Sequence, residues 1–429
     1  MSRASQREYL GLLVTACLIG IPVSLAAFGF LAALHEVEHA VWIQAPEWFG
    51  HDVPPWWWPI PCLVVAGLLV GSAIRFLPGS GGHVPIDGLG TGPIAVRHLP
   101  SIVCAAFAGL SLGVVLGPEA PLIALGSALP LILAYPMGVR SQSQAARVLA
   151  VAGATAAVAA IFGSPLVAAV FILEAAGLAG PQMSRLILPC LLSSGVGALL
   201  FTGLGQTTGL ETASLALPDL SGPPRPDVPD LLWTVPLAAA VAVSVHGIHV
   251  IGARVAVRAA TSPIRTATVA CSVIAICASA YSLLTDRSPY EVASSGQSTL
   301  GELVGDADNW TTTALLLVLV LKGCAYGVSL GALRGGPVFP AVFLGAAAGV
   351  LVAELPGYGL VPALAAGMAA ATAAVLPLPV SAAVLVVLLL GPNAAAMAPI
   401  VLISVVAAAM TEKALSDRSA PHEPSASAS

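Results

Sequence analysis

A single acid, Glu119, stands inside the block Gly117-Pro-Glu-Ala-Pro121, and a second Gly-Pro block, Gly336-Pro-Val-Phe-Pro340, carries Val338 at the matching position. Each block leads into an apolar run, so Pro121 and Pro340 fall in the first turn of a helix. Proline is tolerated there because first-turn N–H groups lack intrahelical partners. Such an N-terminus at mid-membrane attracts an anion through its free N–H groups and the positive end of the helix dipole. Two of them facing each other would hold an anion without a Lys or Arg, whose full charge would retard its exit. A carboxylate at the mouth of that site is a tethered competitor, leaving when protonated or displaced. The alternative is an interfacial or ion-paired glutamate. No opposite charge lies in its block, and ionisable groups inside membranes are usually functional, which favours a gate.

The two blocks belong to a longer duplication. Gly109-Leu-Ser-Leu-Gly113 precedes the first and Gly327-Val-Ser-Leu-Gly331 the second, and both then read GPxxPxxxLG, ending at Gly126 and Gly345. Gly153 stands twelve residues before Pro165, as Gly367 stands twelve before Pro379. Helix packing in membranes explains recurring Gly and Ala but not fixed prolines. Duplication of a transporter half explains both.

The elements that position these blocks are membrane helices. The 429 residues are 57% apolar and 9% charged, against about a quarter charged in soluble domains, which excludes a water-soluble enzyme. A net charge of −5 with scattered basic residues excludes nucleic-acid binding. The seven cysteines form no CxxC and read as small buried hydrophobes, with no disulfide framework or zinc knuckle. Tyr9–Leu34 is uncharged and long enough to span, with no cleavage pattern of a signal peptide. Several later runs are too short to cross, which predicts half-spanning helices received by protein or a watery cavity.

The expected organisation is an N-terminus at 1–8, membrane repeats at 9–206 and 231–413, a linker at 207–230 and a disordered tail at 414–429. Arg3 and Arg7 precede the first span, residues 35–55 contain no Lys or Arg, and Lys413 and Arg418 follow the last. Both termini are therefore expected in the cytoplasm of a multi-pass cell-membrane protein. Trp42, Trp48 and Trp56–Trp58 are expected to form an interfacial belt. No cofactor is expected.

Other motifs allow competing chemistry. His35-Glu36-Val37-Glu38-His39 satisfies HExxH, the spacing of an intramembrane zinc protease, with Asp87 as a conceivable third ligand. It leaves the duplicated blocks unexplained. Gly79-Ser80-Gly81-Gly82 either surrounds an anion with N–H groups and a hydroxyl or is a flexible turn. His246, His249 and Arg254 allow metal binding or proton transfer, or more economically are residues at a helix end facing the cytoplasmic interface. Lys322 and Arg334 either draw anions to a vestibule or snorkel to the surface.

Taken in order, Gly79-Ser80-Gly81, Gly117-Pro-Glu119-Ala-Pro121, Phe162-Gly-Ser-Pro165 through Glu174, and Gly335-Gly-Pro-Val-Phe-Pro340 resemble the CLC chloride channel and transporter family. That family's signatures are GSGIP, GREGP, GIFAP and an NAPLAG…EE stretch. The resemblance runs from the first span to Met410, and residues 335–343 look like its bacterial ion-transport branch. It implies an all-α integral membrane protein, a CLC-like inverted repeat of tilted and half-spanning helices in the bilayer. It further implies a homodimer with one pore per subunit and chloride or a similar small anion as ligand.

By the same resemblance Glu119 is the gating glutamate, Ser80 the anion-coordinating serine, and Val338 N–H one cradle amide. Ser80, Gly81, Gly117, Pro118, Val338 and Phe339 form the expected anion-binding set. The chain also departs from the pattern. Pro337 has no N–H, which hands the second amide to Phe339. Pro118 and Ala120 replace the usual neighbours of the gate. The EE pair is Glu174-Ala175, and Met410-Thr-Glu-Lys-Ala414 lacks the family's tyrosine. Loss of the inner proton-transfer acid favours a passive channel over an anion/proton antiporter and leaves Glu174 a proton or structural role. Chloride, fluoride and nitrate all remain candidate ions.

Overall fold

A computed structural model describes residues 3–90, 94–135, 143–177, 181–208, 217 and 226–419. The chain order is α1 (Arg3–His39), α2 (Ala45–Trp48), α3 (Pro59–Phe76), α4 (Leu99–Ser111), α5 (Glu119–Ala134), α6 (Gln144–Phe162), α7 (Pro165–Ala175) and α8 (Pro181–Thr208). It continues with α9 (Val228–Thr261), α10 (Pro263–Thr285), α11 (Gln297–Gly305), α12 (Thr312–Ala332), α13 (Val338–Val352), α14 (Leu360–Val375), α15 (Pro379–Leu389) and α16 (Ala394–Ser419). Among the described residues, eight stretches, containing α1, α3, α6, α8, α9, α10, α12 and α16, are long and apolar enough to cross a membrane. α4, α5, α7, α13, α14 and α15 are apolar but shorter. The protein is a multi-pass integral membrane protein built from full and partial spans.

Local chemistry sets the breaks. Ser164 Oγ accepts from Val167 N–H and Pro165 opens α7, while Gly163 takes a left-handed conformation at the end of α6. Thr311 caps α12 and Asp227 forms a capping box with Asp230 at the start of α9. The chain thereby ends α6 and restarts as the shorter α7 across residues 163–164.

The duplicated blocks become duplicated structure. α5, α6 and α7 have 16, 19 and 11 residues, and α13, α14 and α15 have 15, 16 and 11. A Cβ on Gly126 of α5 would stand 2.5 Å from the Gly153 carbonyl of α6, and one on Gly345 of α13 would collide with the Gly367 carbonyl of α14. The glycines repeated in the sequence are points where paired helices touch backbone to backbone. A third such crossing joins the halves: Cβ atoms on Gly67 and Gly71 of α3 would each lie 2.6 Å from a Cα of α10. α6 and α14, nearly all buried, form the centre.

Several expectations change. α16 stays helical through Ser419, so 414–419 are not a loose tail, while 420–429 and most of the 207–230 linker lie outside the described residues. His246 and His249 lie inside α9, not at its end, and His246 Nδ1 is 3.0 Å from Glu412 Oε1 of α16. Trp42 and Trp58 are buried: Trp58 Nε1–H donates to the Val41 carbonyl at 3.0 Å and Trp42 packs on Tyr290. Only Trp48, Trp56 and Trp57 have the exposure of a surface belt. Cys190, Cys271 and Cys277 are buried, but Cys104 is exposed.

Candidate functional site

The two Gly-Pro blocks meet. Gly117 N–H donates to the Gly336 carbonyl at 2.7 Å and Gly336 N–H returns the bond to Gly117 at 2.5 Å. This antiparallel bridge ties the residues before α5 to those before α13. A Cβ on either would strike the Glu119 carboxylate where it lies, so a larger residue there would displace that side chain from its seat. Glu119, at the first position of α5, is fully buried. Its Oε1 accepts from the N–H groups of Val338 and Phe339, each at 3.1 Å. These are the first two residues of α13, so the carboxylate satisfies N–H groups that the helix itself leaves free.

The acid is electrostatically exposed to competition despite its burial. Oε2 has no hydrogen-bond partner, and among the described residues no cation is paired with Glu119. Two amides and a helix dipole therefore offset the desolvation of a full charge. The cradle is held rigidly: Tyr326 O–H donates to the Pro337 carbonyl at 2.5 Å, and Phe339 stacks on Phe162 with ring centroids 6.1 Å apart. Chemically, Oε1 marks a place for one anion-sized acceptor.

The structure brings together Gly117, Pro118, Glu119, Val338 and Phe339. The Gly117 amide is engaged with Gly336, so Gly117 is a strut and offers no donor to an anion. Gly81 is likewise corrected: its N–H donates to Ser101 Oγ at 2.7 Å. Ser80 is exposed, with φ +50°, and it joins the site indirectly. Arg334, buried in the loop before α13, donates from Nε to the Ser80 carbonyl at 3.2 Å. Arg334 therefore pins the 79–82 turn instead of snorkelling.

Glu174 occupies a second helix start. Its Oε1 accepts from Val380 N–H at 3.1 Å, and its Oε2 accepts from Ser381 N–H and Ser381 O–H at 2.6 and 2.5 Å. α15 has no side-chain cap of its own at Leu378, so an acid of the first repeat caps a helix of the second. Hydrogen bonds to charged groups contribute about 1.5–3 kcal/mol each before geometry and exposure discount them. Glu174→Ala should lower the thermal unfolding midpoint in detergent while leaving anion flux per folded molecule near wild type. Lost flux in well-folded Glu174→Ala protein would contradict a capping role.

Sequence reasoning missed three features. Lys322, fully buried, neither faces a vestibule nor snorkels. Its Nζ lies 3.0–3.3 Å from the carbonyls of Glu291, Val292, Ala293 and Ser294, with the Phe343 ring 4.7 Å away. Tyr326 fixes the residue before the cradle, and nothing in its apolar surroundings signals that. Glu38 accepts from Tyr290 O–H at 2.6 Å, whereas His35 and His39 have ring centroids 6.4 Å apart. Among the described residues no cluster of three His, Cys, Asp or Glu could hold a metal ion, and the zinc protease reading has no support.

Comparisons with known proteins bear on the same residues. The family model described as Voltage gated chloride channel matches residues 79–412. YfeO of Escherichia coli (strain SMS-3-5 / SECEC), named for an inferred role in ion transport, is 26% identical over 359 residues, covering 81% of this chain and 80% of its own. Among solved structures, a slow cyanobacterial Cl−/H+ antiporter superposes with a TM-score of 0.76 at 18% identity, covering 94% of each chain. A CLC-type fluoride/proton antiporter gives 0.68 at 18% identity, covering 96% of this chain and 97% of its own. At these identities the structural likeness concerns the fold.

Proposed function

Because the chain belongs to the voltage-gated chloride channel family, we propose that it passes chloride or a similar small anion, such as fluoride or nitrate, through a pore gated by Glu119. The observation that carries this reading is Glu119 Oε1 in the amides of Val338 and Phe339. A carboxylate oxygen held there stands in for the permeating anion. Protonation removes the charge that holds Glu119 against the helix dipole, so the side chain leaves and an anion takes the amides. Flux therefore rises as pH falls. Pro118 shapes the approach, and the exposed Ser80 hydroxyl supplies a further contact along the path.

Passive conduction is the preferred mode. Ala175 follows Glu174, and three donors hold the Glu174 carboxylate at the start of α15, which leaves no free inner acid in that stretch. Proton-coupled antiport is the second reading, favoured by the two antiporters that share the fold. The working unit in this proposal is a homodimer in the cell membrane, with both termini cytoplasmic as the arginines at 3 and 7 suggest.

Reversal potentials of the purified protein in a lipid bilayer under a chloride gradient separate the modes. A passive channel reverses at the chloride equilibrium potential with or without a pH gradient. A shift produced by the pH gradient alone would establish coupling to protons and reject the channel mode.

A further inference from the structure

Two residues of the HExxH stretch, His35 and Glu38, border a cavity that also touches Pro118, the neighbour of the gate. The cavity, of about 50 Å³, is walled by Leu34, His35, Glu38, Pro118, Ser295 and Gln297, among others. Pro118 is the residue next to Glu119. The polar groups on these walls suit water, and the volume accommodates a few molecules. We propose that this cavity is the proton entry to the gate, with Glu38 the carboxyl that passes protons to Glu119. The proposal rests on the gating role of Glu119 argued above.

The surroundings of Glu38 fit a proton carrier better than an anion site or a structural ion pair. Its Oε1 is fixed by Tyr290 O–H, and the Tyr290 oxygen lies 3.1 Å from Ser298 Oγ of α11. Lys322 of α12 directs its ammonium to four backbone carbonyls and makes no salt bridge with Glu38. The Glu291 carboxylate is engaged by Tyr281 and Arg287. On its own helix His35 shares the cavity, while His39 Nδ1 lies 3.1 Å from Gln44 Nε2. α4 and the segment before α5 bring only Leu110, Leu116 and Pro118 to the cavity.

Lys322 acts on Glu38 only through space, and a carboxylate with no cation in contact repels anions and concentrates protons, so this cavity serves the gate and not the permeating ion. The step moves one proton. Neutral Glu38 releases it through cavity water to the Glu119 carboxylate, which becomes the neutral acid and vacates the Val338 and Phe339 amides. The Glu38 carboxylate keeps the Tyr290 bond and is reloaded from solution past His35.

The test is a rapid acid jump on liposomes containing the full-length protein, applied from the side to which the C-terminal end of α1 points. The readout is the rate at which chloride efflux reaches its low-pH plateau. Glu38→Gln, which keeps an acceptor for Tyr290, should slow that approach about a hundredfold, the lower range for loss of a positioned proton-transfer group. Glu38→Asp should recover most of the rate. Tyr290→Phe, which retains the carboxylate but loses its anchor, should slow the approach far less than Glu38→Gln. Ser295→Val fills the cavity without touching Glu38 and should slow activation as well, which keeps the test open if Glu38→Gln does not fold. Equal slowing by Tyr290→Phe and Glu38→Gln would assign Glu38 a structural role, and wild-type kinetics in Glu38→Gln or in Ser295→Val would overturn the proposal. Should Glu119→Gln retain acid activation, the gate reading itself fails, whatever Glu38→Gln does.

Discussion

Glu119→Gln is expected to carry anion near neutral pH at a rate that the wild type reaches only in acid. The wild-type carboxylate competes for two amides of α13; a hydrogen bond to a charged acceptor contributes about 1.5–3 kcal/mol and one to a neutral acceptor about 0.5–1.5, so over two amides the difference is about 2–3 kcal/mol, or roughly 30- to 150-fold in occupancy. Glutamine preserves size and buries no charge, so the cradle opens to chloride without waiting for a proton. Chloride efflux from liposomes, measured across the pH range, should rise by that factor at high pH and lose its slope. A flux that keeps the wild-type slope in Glu119→Gln would remove the gate.

Lys322→Met is expected to abolish the folded protein or leave it severely unstable. One ammonium shares its three N–H donors among four carbonyls in a row, from Glu291 to Ser294. Methionine fills the space but leaves those acceptors without it, and each buried polar group without a partner costs about 1–3 kcal/mol. Total stabilities are only about 5–15 kcal/mol. The damage reaches the site, because Ser294 N–H donates to the Gly113 carbonyl at 2.9 Å and Gly113 begins the segment that leads to Gly117. Arginine is not a substitute, since its planar fork cannot place one nitrogen among four converging carbonyls. Size-exclusion profiles and thermal unfolding in detergent provide the check. A monodisperse, wild-type-stable Lys322→Met protein would contradict the assigned role.

The parts of the site written in the sequence were those built from backbone. Gly-Pro blocks announce helix starts, and the duplication signals a second copy of whatever the first copy does. Gly126, Gly153, Gly345 and Gly367 were visible as a repeated offset, though only the structure turns them into helix crossings. Glu119 was legible as an acid without a partner in its own block. The reciprocal bond between Gly117 and Gly336 was not, since it joins positions more than two hundred residues apart.

For Lys322 and Arg334, position along an apolar run does not tell whether a cation meets solvent or backbone carbonyls. Burial of Trp42 and Trp58 escaped for a similar reason: a belt and a packed aromatic share one composition. Glu38 stands out in the sequence only as part of a five-residue pattern, while its tyrosine partner lies 252 positions away. The helical end of α16 was obscured by small and polar residues, which occur equally in exposed helix ends and in loose tails.

The central idea is that an anion and the Glu119 carboxylate compete for the same two N–H groups. Anomalous diffraction from Glu119→Gln crystals grown in bromide tests it directly. A bromide peak within hydrogen-bond reach of both Val338 and Phe339 N–H, absent from wild-type crystals at high pH, is the predicted result. Bromide bound elsewhere in the pore with those two amides empty, or the same peak beside an intact wild-type carboxylate, would contradict it.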